Sequence, residues 1–292
     1  MLTRRQFTAI AAGLMPALLP ALSRPARAEP LSGLPARFAA LETAVGARLG
    51  VGVLDTATGR ETGHRADERF PLCSTFKLLL AGAVLARVDA GREQLDRRIR
   101  YAATDLVTYS PVTQHHSGEG LTVAELCRAA VTISDNTAAN LLLASLGGPQ
   151  GLTAFLRTTG DGVTRLDRIE TALNEARPGD ARDTTTPAAM ARTMRALLLG
   201  DALSAAGRAQ LAAWLAANTT GDARLRAGFP RGWRVGDKTG SGGEGTANDV
   251  AIAWPPGRAP VIVTVYLTQS AATADARNAA IADVAKAVAA AL

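Results

Sequence analysis

The chain has 292 residues, 47% of them hydrophobic, and holds no repeat or low-complexity run, so it is long and apolar enough for one large domain or two smaller ones. Its formal charge is +6, but the first 28 residues contribute four arginines and no acid, so the remainder carries only +2. Because its arginines are interspersed with acids and aromatic residues are sparse, the composition does not call for a nucleic-acid partner.

The first 28 residues have the pattern of a removable export signal. A twin arginine, Arg4-Arg5, precedes an apolar run from Phe7 to Leu22, and Ala26-Arg27-Ala28 has the small-x-small form of a cleavage site. The run contains two prolines and is shorter than the roughly 20 residues of a membrane-spanning helix, which disfavours the alternative of a retained anchor. We predict a twin-arginine-type signal peptide over 1–28, a periplasmic or secreted protein, and no membrane association after cleavage.

The rest of the chain predicts strands near both ends and helices between them. Leu34 to Leu49 has its apolar residues spaced for one face of a helix, and Val51–Leu54 and Glu61–His64 flank a turn and predict a hairpin. From Ser74 to about Trp214 the chain is rich in alanine and leucine at helical spacing. Three further strands and a closing helix are predicted at Trp233–Gly240, Asp249–Trp254, Val261–Thr268 and Ala272–Leu292.

This order of elements predicts two domains. Residues 29–71 and 217–292 should form an α/β domain whose two parts meet in space, and residues 72–216 should form an all-helical domain inserted between them. The predicted fold class is therefore α/β plus all-α, with an antiparallel sheet flanked by helices and an inserted helical domain.

Lysine is used sparingly in this chain, and two of its three lysines lie in short motifs, Ser74-Thr-Phe-Lys77 and Lys238-Thr239-Gly240. Unlike arginine, lysine can lose its proton when it is desolvated or close to other cations. On a helix, Ser74 and Lys77 would share one face, and a neutral Lys77 could take the serine's proton and make it a nucleophile. The alternative is an ordinary helix-surface pair, because so short a motif also arises by chance.

Two further motifs have plain structural alternatives of their own. Ser134-Asp135-Asn136 lies in the helical block, where all three residue types are also good helix caps. Lys238-Thr239-Gly240 lies on a predicted strand, where an exposed edge-strand lysine is the alternative. All three motifs in one chain, in this order and on these elements, make coincidence improbable.

The three motifs resemble the signatures of penicillin-recognising serine enzymes. A fourth segment, running from Arg168 through Glu170 to Asn174 and on to Gly179-Asp180 and Asp183, is similar to the omega loop of class A β-lactamases and lies at about 165–183. The resemblance covers nearly all of the chain after the signal. It implies a β-lactamase/transpeptidase-like fold and an enzyme (EC 3.5.2.6) that hydrolyses the β-lactam ring of penicillins and cephalosporins through a serine acyl-enzyme, conferring resistance.

The resemblance also implies catalytic roles. Ser74 would be the acylating nucleophile and Ser134 the relay of a proton to the leaving ring nitrogen. Lys77 and Glu170 would handle the protons, and which of them activates Ser74 stays open. Glu170 would also activate the deacylating water. The resemblance further implies β-lactams and water as partners, a monomer, and neither a cofactor nor a metal.

Substrate binding is implied for residues around the same site: Asn136, Asn174, Lys238, Thr239, Gly240, Ser241, Arg224 and Tyr109. Asn174 would help to hold the deacylating water, and Asn136 would bond the substrate's side-chain amide. Lys238, Thr239 and Ser241 would hold the substrate carboxylate. The N–H groups of Ser74 and Ser241 would form the oxyanion hole. Tyr109 would stand at the mouth of the cleft, its alternative being a loop aromatic packed on the core.

Two departures from the family pattern are informative. Many members place an arginine where Ala247 stands here, and Arg224 matches the alternative position of that arginine; a solvated surface arginine is the other interpretation. Cys73 and Cys127 each match one half of a different family disulfide, whose other halves are Gly242 and Ala81 here. We therefore predict two free thiols, although an exported pair invites a disulfide.

Two rival functions share parts of this pattern. A D-alanyl-D-alanine peptidase or penicillin-binding protein has the three motifs and the acylation step, but normally lacks the Glu170 segment. A non-hydrolysing β-lactam sensor domain would need a membrane tether and a linker, and neither is visible in the sequence.

Overall fold

A computed structural model describes residues 31–292, so the predicted signal peptide lies outside the described residues. The α-helices are α1 (Leu34–Val45), α2 (Phe76–Asp89), α3 (Val123–Thr132), α4 (Asn136–Ser145), α5 (Gly148–Thr158), α6 (Pro187–Leu198), α7 (Ala205–Ala216), α8 (Leu225–Gly228) and α9 (Ala274–Ala290). The strands are β1 (Arg48–Asp55), β2 (Arg60–His64), β3 (Phe70–Pro71), β4 (Arg98–Ile99), β5 (Leu121–Thr122), β6 (Thr184–Thr185), β7 (Arg234–Gly242), β8 (Thr246–Trp254) and β9 (Val261–Thr268).

Five strands form one antiparallel sheet in the order β2-β1-β9-β8-β7. β1 pairs with β9 along its whole length, from Arg48 opposite Thr268 to Asp55 opposite Val261. Strands that lie more than 200 positions apart are therefore neighbours, and the chain between them includes the helical block from α2 to α7. The predicted fold class, an antiparallel sheet flanked by helices with a helical insertion, is confirmed.

Each face of the sheet packs into its own apolar core, as the two-residue period of a strand requires. On β9, Val263 and Val265 face α1 and α9, where they join Phe38 and Ile281. The intervening Ile262 and Tyr266 belong to the second core, which continues through α2 and the other helices of the central block. Because α2 is buried along most of its length, whatever lies at its first turn is held rigidly against the sheet.

The first helix is shorter than the sequence analysis predicts. It ends at Val45 because Gly46 takes a left-handed conformation (φ 60°) and its N–H bonds back to the carbonyls of Glu42 and Thr43. β1 then begins at Arg48, so the prediction of helix up to Leu49 is wrong at its end. Among residues 31–292, no helix is both long and apolar enough to cross a membrane.

Candidate active site

Ser74 and Lys77 lie at the start of α2, as their spacing predicts. A 3-10 turn at Cys73–Thr75 leads directly into the helix, and Cys73 holds a left-handed φ of 42° to make that entry. Lys77 is fully buried, and its Nζ lies 3.0 Å from Ser74 Oγ. The pair is therefore not a helix-surface pair, and that alternative is wrong.

The Lys77 ammonium is surrounded by more oxygen atoms than it has protons. Besides Ser74 Oγ, its Nζ lies 2.9 Å from Glu170 Oε1, 2.9 Å from the Ser134 carbonyl, 3.3 Å from Ser134 Oγ and 2.5 Å from Asn136 Oδ1. Burial lowers the pKa of Lys77, and the neighbouring Glu170 carboxylate opposes that shift. A proton on Lys77 can therefore pass directly to any of several neighbouring oxygen atoms, including those of Ser74, Ser134 and Glu170.

Glu170 contacts the same serine and lies next to Lys77. Its Oε1 accepts from Ser74 Oγ at 3.2 Å, and its Oε2 accepts from Asn174 Nδ2 at 2.6 Å. Asn140, on α4, fixes the backbone of Glu170 by two bonds of 2.9 Å, one to its carbonyl and one from its N–H. The peptide bond from Glu170 to Thr171 is cis. Asn174 Oδ1 is buried and has no partner among the described residues, so it points a free acceptor at the region beside Glu170.

The Ser134-Asp135-Asn136 motif both caps a helix and contributes side chains to the site, so both interpretations of it hold. Asp135 caps α4 by accepting from the N–H of Ala138, which is the structural alternative. Ser134 takes a left-handed φ of 63°, and its Oγ faces both lysines. Asn136 Oδ1 accepts from Lys77 Nζ, and Asn136 Nδ2 donates to the Thr108 carbonyl at 2.8 Å. The second N–H of that amide has no partner among the described residues.

Lys238 is fully buried although β7 is an edge strand of the sheet. Its Nζ donates to Ser134 Oγ at 3.2 Å and to the Thr239 carbonyl at 3.0 Å. Burial, and secondly the positive charge of Lys77, lower the pKa of Lys238 to about 7. The alternative of an exposed edge-strand lysine is therefore wrong.

Gly240 brings β7 close to the backbone of Ser74. A Cβ at this position would lie 3.0 Å from the Leu72 carbonyl oxygen and 3.2 Å from the Ser74 nitrogen. A side chain at this position would force the strand and the backbone around Ser74 apart by a few tenths of an ångström. This contact places Ser241 on the same wall of the cleft as Ser74.

Arg224 is built into the site and does not lie free on the surface. Its Nη2 donates to Ser241 Oγ at 2.9 Å, and its Nη1 donates to the carbonyls of Gly240 and Asn248 at 2.9 and 2.6 Å. Its Nε donates to Asn278 Oδ1 on α9 at 2.9 Å. Burial lowers the pKa of this guanidinium. The interpretation as a solvated surface arginine is wrong.

These groups surround an open cleft of about 370 Å³, a size suited to a small-molecule ligand. Its walls are formed by Ser74, Tyr109, Ser134, Asn136, Asn174, Thr220, Arg224, Thr239, Gly240 and Ser241. Lys77, Glu170 and Lys238 lie behind this wall. Tyr109 is 55% exposed, so its alternative, packing on the core, is wrong.

Sequence reasoning missed several residues that support the site. Asn140 fixes Glu170, Thr220 bonds Thr239, and Asn218 bonds the buried Asp237. Asp237 offered a signal, because a carboxylate inside a strand of buried residues needs polar partners. The other three are single polar residues on helices or loops, and no local pattern distinguishes them.

Neither cysteine forms a disulfide. Cys73 and Cys127 are free and buried, so the prediction of two free thiols is confirmed. Burial raises the pKa of both thiols. Residues 31–292 contain no group of three or more histidine, cysteine, aspartate or glutamate side chains suited to hold a metal ion.

Comparison with known proteins decides the family. Residues 34–292 match the family model described as the β-lactamase enzyme family. The chain is 57% identical to β-lactamase AST-1 of Nocardia asteroides over 86% of this chain and 81% of that protein. It is 50% identical to β-lactamase L2 of Stenotrophomonas maltophilia over 97% of each. A solved structure of an ancestral (GNCA) class A β-lactamase superposes with a TM-score of 0.87 at 69% identity, over 87% of this chain and 98% of that one.

The chain belongs to the class A β-lactamases. The resemblance inferred from the motifs is thereby confirmed, as is the prediction of a serine hydrolase that opens β-lactam rings through an acyl-enzyme and confers resistance. The peptidase and sensor alternatives give way to this β-lactamase, whose site retains the Glu170 segment that a peptidase normally lacks.

Proposed function

We propose that Ser74 of this β-lactamase attacks the β-lactam carbonyl. The observation that carries the proposal is the contact of one hydroxyl with two bases: Ser74 Oγ lies 3.0 Å from Lys77 Nζ and 3.2 Å from Glu170 Oε1. A serine hydroxyl becomes an effective nucleophile only when a base takes its proton. Lys77 and Glu170 are themselves 2.9 Å apart, so they act as one proton-accepting pair.

Ser134 is proposed to deliver a proton to the ring nitrogen as the carbon–nitrogen bond breaks. Its Oγ lies 3.3 Å from Lys77 Nζ and 3.2 Å from Lys238 Nζ, so it connects the proton-holding pair to the cleft. The proton that leaves Ser74 can thus return to the substrate through Lys77 and Ser134. The N–H groups of Ser74 and Ser241 are proposed as the oxyanion hole.

Glu170 and Asn174 are proposed to hold and activate the deacylating water. A water between them can donate to Glu170 and to the free, buried Asn174 Oδ1. Asn174 Nδ2 keeps the Glu170 carboxylate turned towards this position. Glu170 then takes a proton as the water attacks the ester carbonyl, which releases the product and restores Ser74.

The substrate is proposed to be a penicillin or a cephalosporin bound through its carboxylate. Thr239 and Ser241 contact that carboxylate at the wall of the cleft. Lys238, buried behind the wall, and Arg224, bonded to Ser241, hold it by their positive charge. Asn136 offers its remaining N–H to the side-chain amide of the substrate, and Tyr109 covers the mouth of the cleft. Gly240 contributes by its lack of a side chain.

Export by the twin-arginine route to the periplasm or the medium, and a monomeric state, are further parts of this proposal. The proposal of export rests on Arg4-Arg5, the apolar run and the small-x-small site of the sequence.

The division into an α/β domain (29–71 and 217–292) and a helical domain (72–216) is likewise proposed. The connection of β1 to β9 through a helical block supports it.

The decisive test separates the two half-reactions. Ser74→Ala should abolish covalent labelling by benzylpenicillin, since among residues 31–292 only the Ser74 hydroxyl contacts both Lys77 and Glu170. Glu170→Ala should still acylate, more slowly, but should lose deacylation, because removal of a general base typically costs about 10²–10⁴ in rate. Intact-mass spectrometry should show the protein plus one penicillin, persisting for minutes or longer. Turnover by Glu170→Ala at the parent rate, with no adduct, would contradict the role of Glu170.

A further inference from the structure

The hydroxyl of Thr239, one of the proposed carboxylate ligands, is already bonded to a neighbouring hydroxyl in the free enzyme. Its Oγ1 lies 2.5 Å from Thr220 Oγ1, a short hydroxyl–hydroxyl contact at the wall of the cleft. Each hydroxyl has only one proton to donate. Which threonine donates therefore decides whether Thr239 has a proton left for a substrate.

The neighbours of Thr220 determine the direction of this bond. Both the backbone N–H and Oγ1 of Thr220 lie against Asn218 Oδ1, at 3.2 and 2.8 Å. An N–H can only donate, so the amide atom that faces it must be the oxygen. The other end of the Asn218 amide donates to Asp237 Oδ2 at 2.5 Å, which fixes the same orientation.

Gly221 makes this arrangement possible. A Cβ at position 221 would lie 1.9 Å from Asp237 Oδ2 and 3.2 Å from Asn218 Nδ2. The glycine thus leaves room for the carboxylate and amide to meet, and both are buried. The Asn218 amide group does not flip readily, because a flip would place its oxygen against the Asp237 carboxylate and its NH₂ group against the Thr220 N–H.

One pattern of protons satisfies all of these contacts. Thr220 donates to Asn218 Oδ1, so its oxygen can only accept from Thr239, and Thr239 donates to Thr220. The opposite direction would leave two oxygen lone pairs facing each other 2.8 Å apart at Asn218. In the free enzyme Thr239 therefore presents lone pairs, and no proton, to the cleft.

We propose that Thr220 is a specificity-determining residue that weakens the binding of substrate carboxylates by holding the Thr239 proton. To bond a carboxylate, Thr239 must turn its O–H away from Thr220, and the two hydroxyl oxygens are then left 2.5 Å apart without a proton between them. This loss offsets part of the new bond to the carboxylate. The inference rests on the proposed role of Thr239 as a carboxylate ligand.

The test is Thr220→Val, which keeps the side-chain shape and removes the acceptor, with Thr220→Ser as the matched control. The valine variant should lower KM for benzylpenicillin about three- to tenfold, the value of one hydrogen bond, while kcat changes much less. The serine variant should keep the parent KM. With benzylpenicillin methyl ester, whose neutral carbonyl accepts a weaker hydrogen bond than a carboxylate, Thr220→Val should lower KM by a clearly smaller factor. A change in packing alone would alter both substrates alike.

Thr239→Val distinguishes the two ways in which this can fail. If Thr239→Val leaves KM for benzylpenicillin unchanged, Thr239 does not hold the carboxylate. The proposed role of Thr239 and the inference about Thr220 are then both wrong. If Thr239→Val raises KM but Thr220→Val does not lower it, only the inference about Thr220 is overturned. Thermal unfolding of each variant, with Tm within about 3 °C of the parent, establishes that the comparison is between folded proteins.

Discussion

Asp183 lies 2.6 Å from the Arg168 guanidinium, measured from Oδ2 to Nε, and its other oxygen accepts the backbone N–H groups of Asp167 and Arg168 at 2.7 and 2.9 Å. The carboxylate is 1% exposed at its side chain, so this is more than a surface ion pair. It joins the two ends of the segment that carries Glu170.

Asp183→Asn should therefore weaken both stability and turnover. Loss of the charge from a buried carboxylate that accepts three hydrogen bonds should cost about 1–3 kcal/mol, a drop of several degrees in Tm. Penicillin turnover should fall because Glu170 is held less firmly. Glu61→Gln is the matched control, since it removes the charge from an exposed pair with Arg192, a kind of pair worth about 1 kcal/mol or less. Equal Tm values for both variants would show that Asp183 contributes no more than that surface pair.

Arg224→Ala should raise KM for penicillins about tenfold and lower kcat much less. The substrate carboxylate is bound in both the ground state and the transition state, so removing a charge beside it weakens both alike. Arg231→Ala is the control, because Arg231 is exposed and has no hydrogen bond or ion pair among the described residues. Steady-state kinetics on benzylpenicillin give both constants. An unchanged KM would mean that Lys238, Thr239 and Ser241 bind the substrate carboxylate without help from Arg224.

The activity should depend on the charge of Lys238. Its pKa is lowered to about 7, so the free enzyme loses this positive charge as the pH rises through 7. Because the charge attracts the substrate carboxylate, kcat/KM for benzylpenicillin should decline above that pH. Lys238→Arg, whose charge does not titrate in this range, should extend the plateau to higher pH even if its maximum is lower. The same profile for both proteins would assign the titration to another group.

The same shift has an opposite consequence for folding stability. The unfolded chain keeps Lys238 protonated up to its ordinary pKa near 10.5, whereas the folded protein releases the proton near 7. Between these values the unfolded state binds more protons, so this residue makes the free energy of unfolding rise with pH. Denaturation at pH 7 and 9 should show a smaller increase for Lys238→Met than for the parent. An equal increase in the free energy of unfolding for the parent and Lys238→Met would show that Lys238 does not cause the pH dependence.

The two thiols can be counted directly. Denatured but unreduced protein should bind two equivalents of a thiol reagent, because Cys73 and Cys127 are unpaired. The native protein should react far more slowly, since both thiols are buried and burial raises their pKa. Finding no reactive thiol after denaturation would overturn the prediction.

The sequence predicts well what depends on local spacing. Ser74 and Lys77 meet because they are one helical turn apart, and β9 has the predicted bounds because its run is uniformly buried. Predictions fail where one residue overrides a pattern, as Gly46 does at the end of α1. Contacts such as Ser74 with Glu170, 96 positions apart, follow from the resemblance and not from any local pattern. The bond between Thr220 and Thr239 needs the orientation of a third residue, Asn218, which only the structure provides.

The pairing of β1 with β9 also constrains how the molecule is made. Contacts between residues about 200 positions apart form slowly, because a long loop must close before they can stabilise anything. A nascent chain that ends before Val261 can form α2 with its serine and lysine, but it cannot complete the sheet on which β8 and β7 depend. Such a chain exposes the unpaired edge of β1, a template for aggregation. Synthesis of β9 is thus the step that permits the catalytic cleft to assemble, and we expect a chain truncated before it to be inactive.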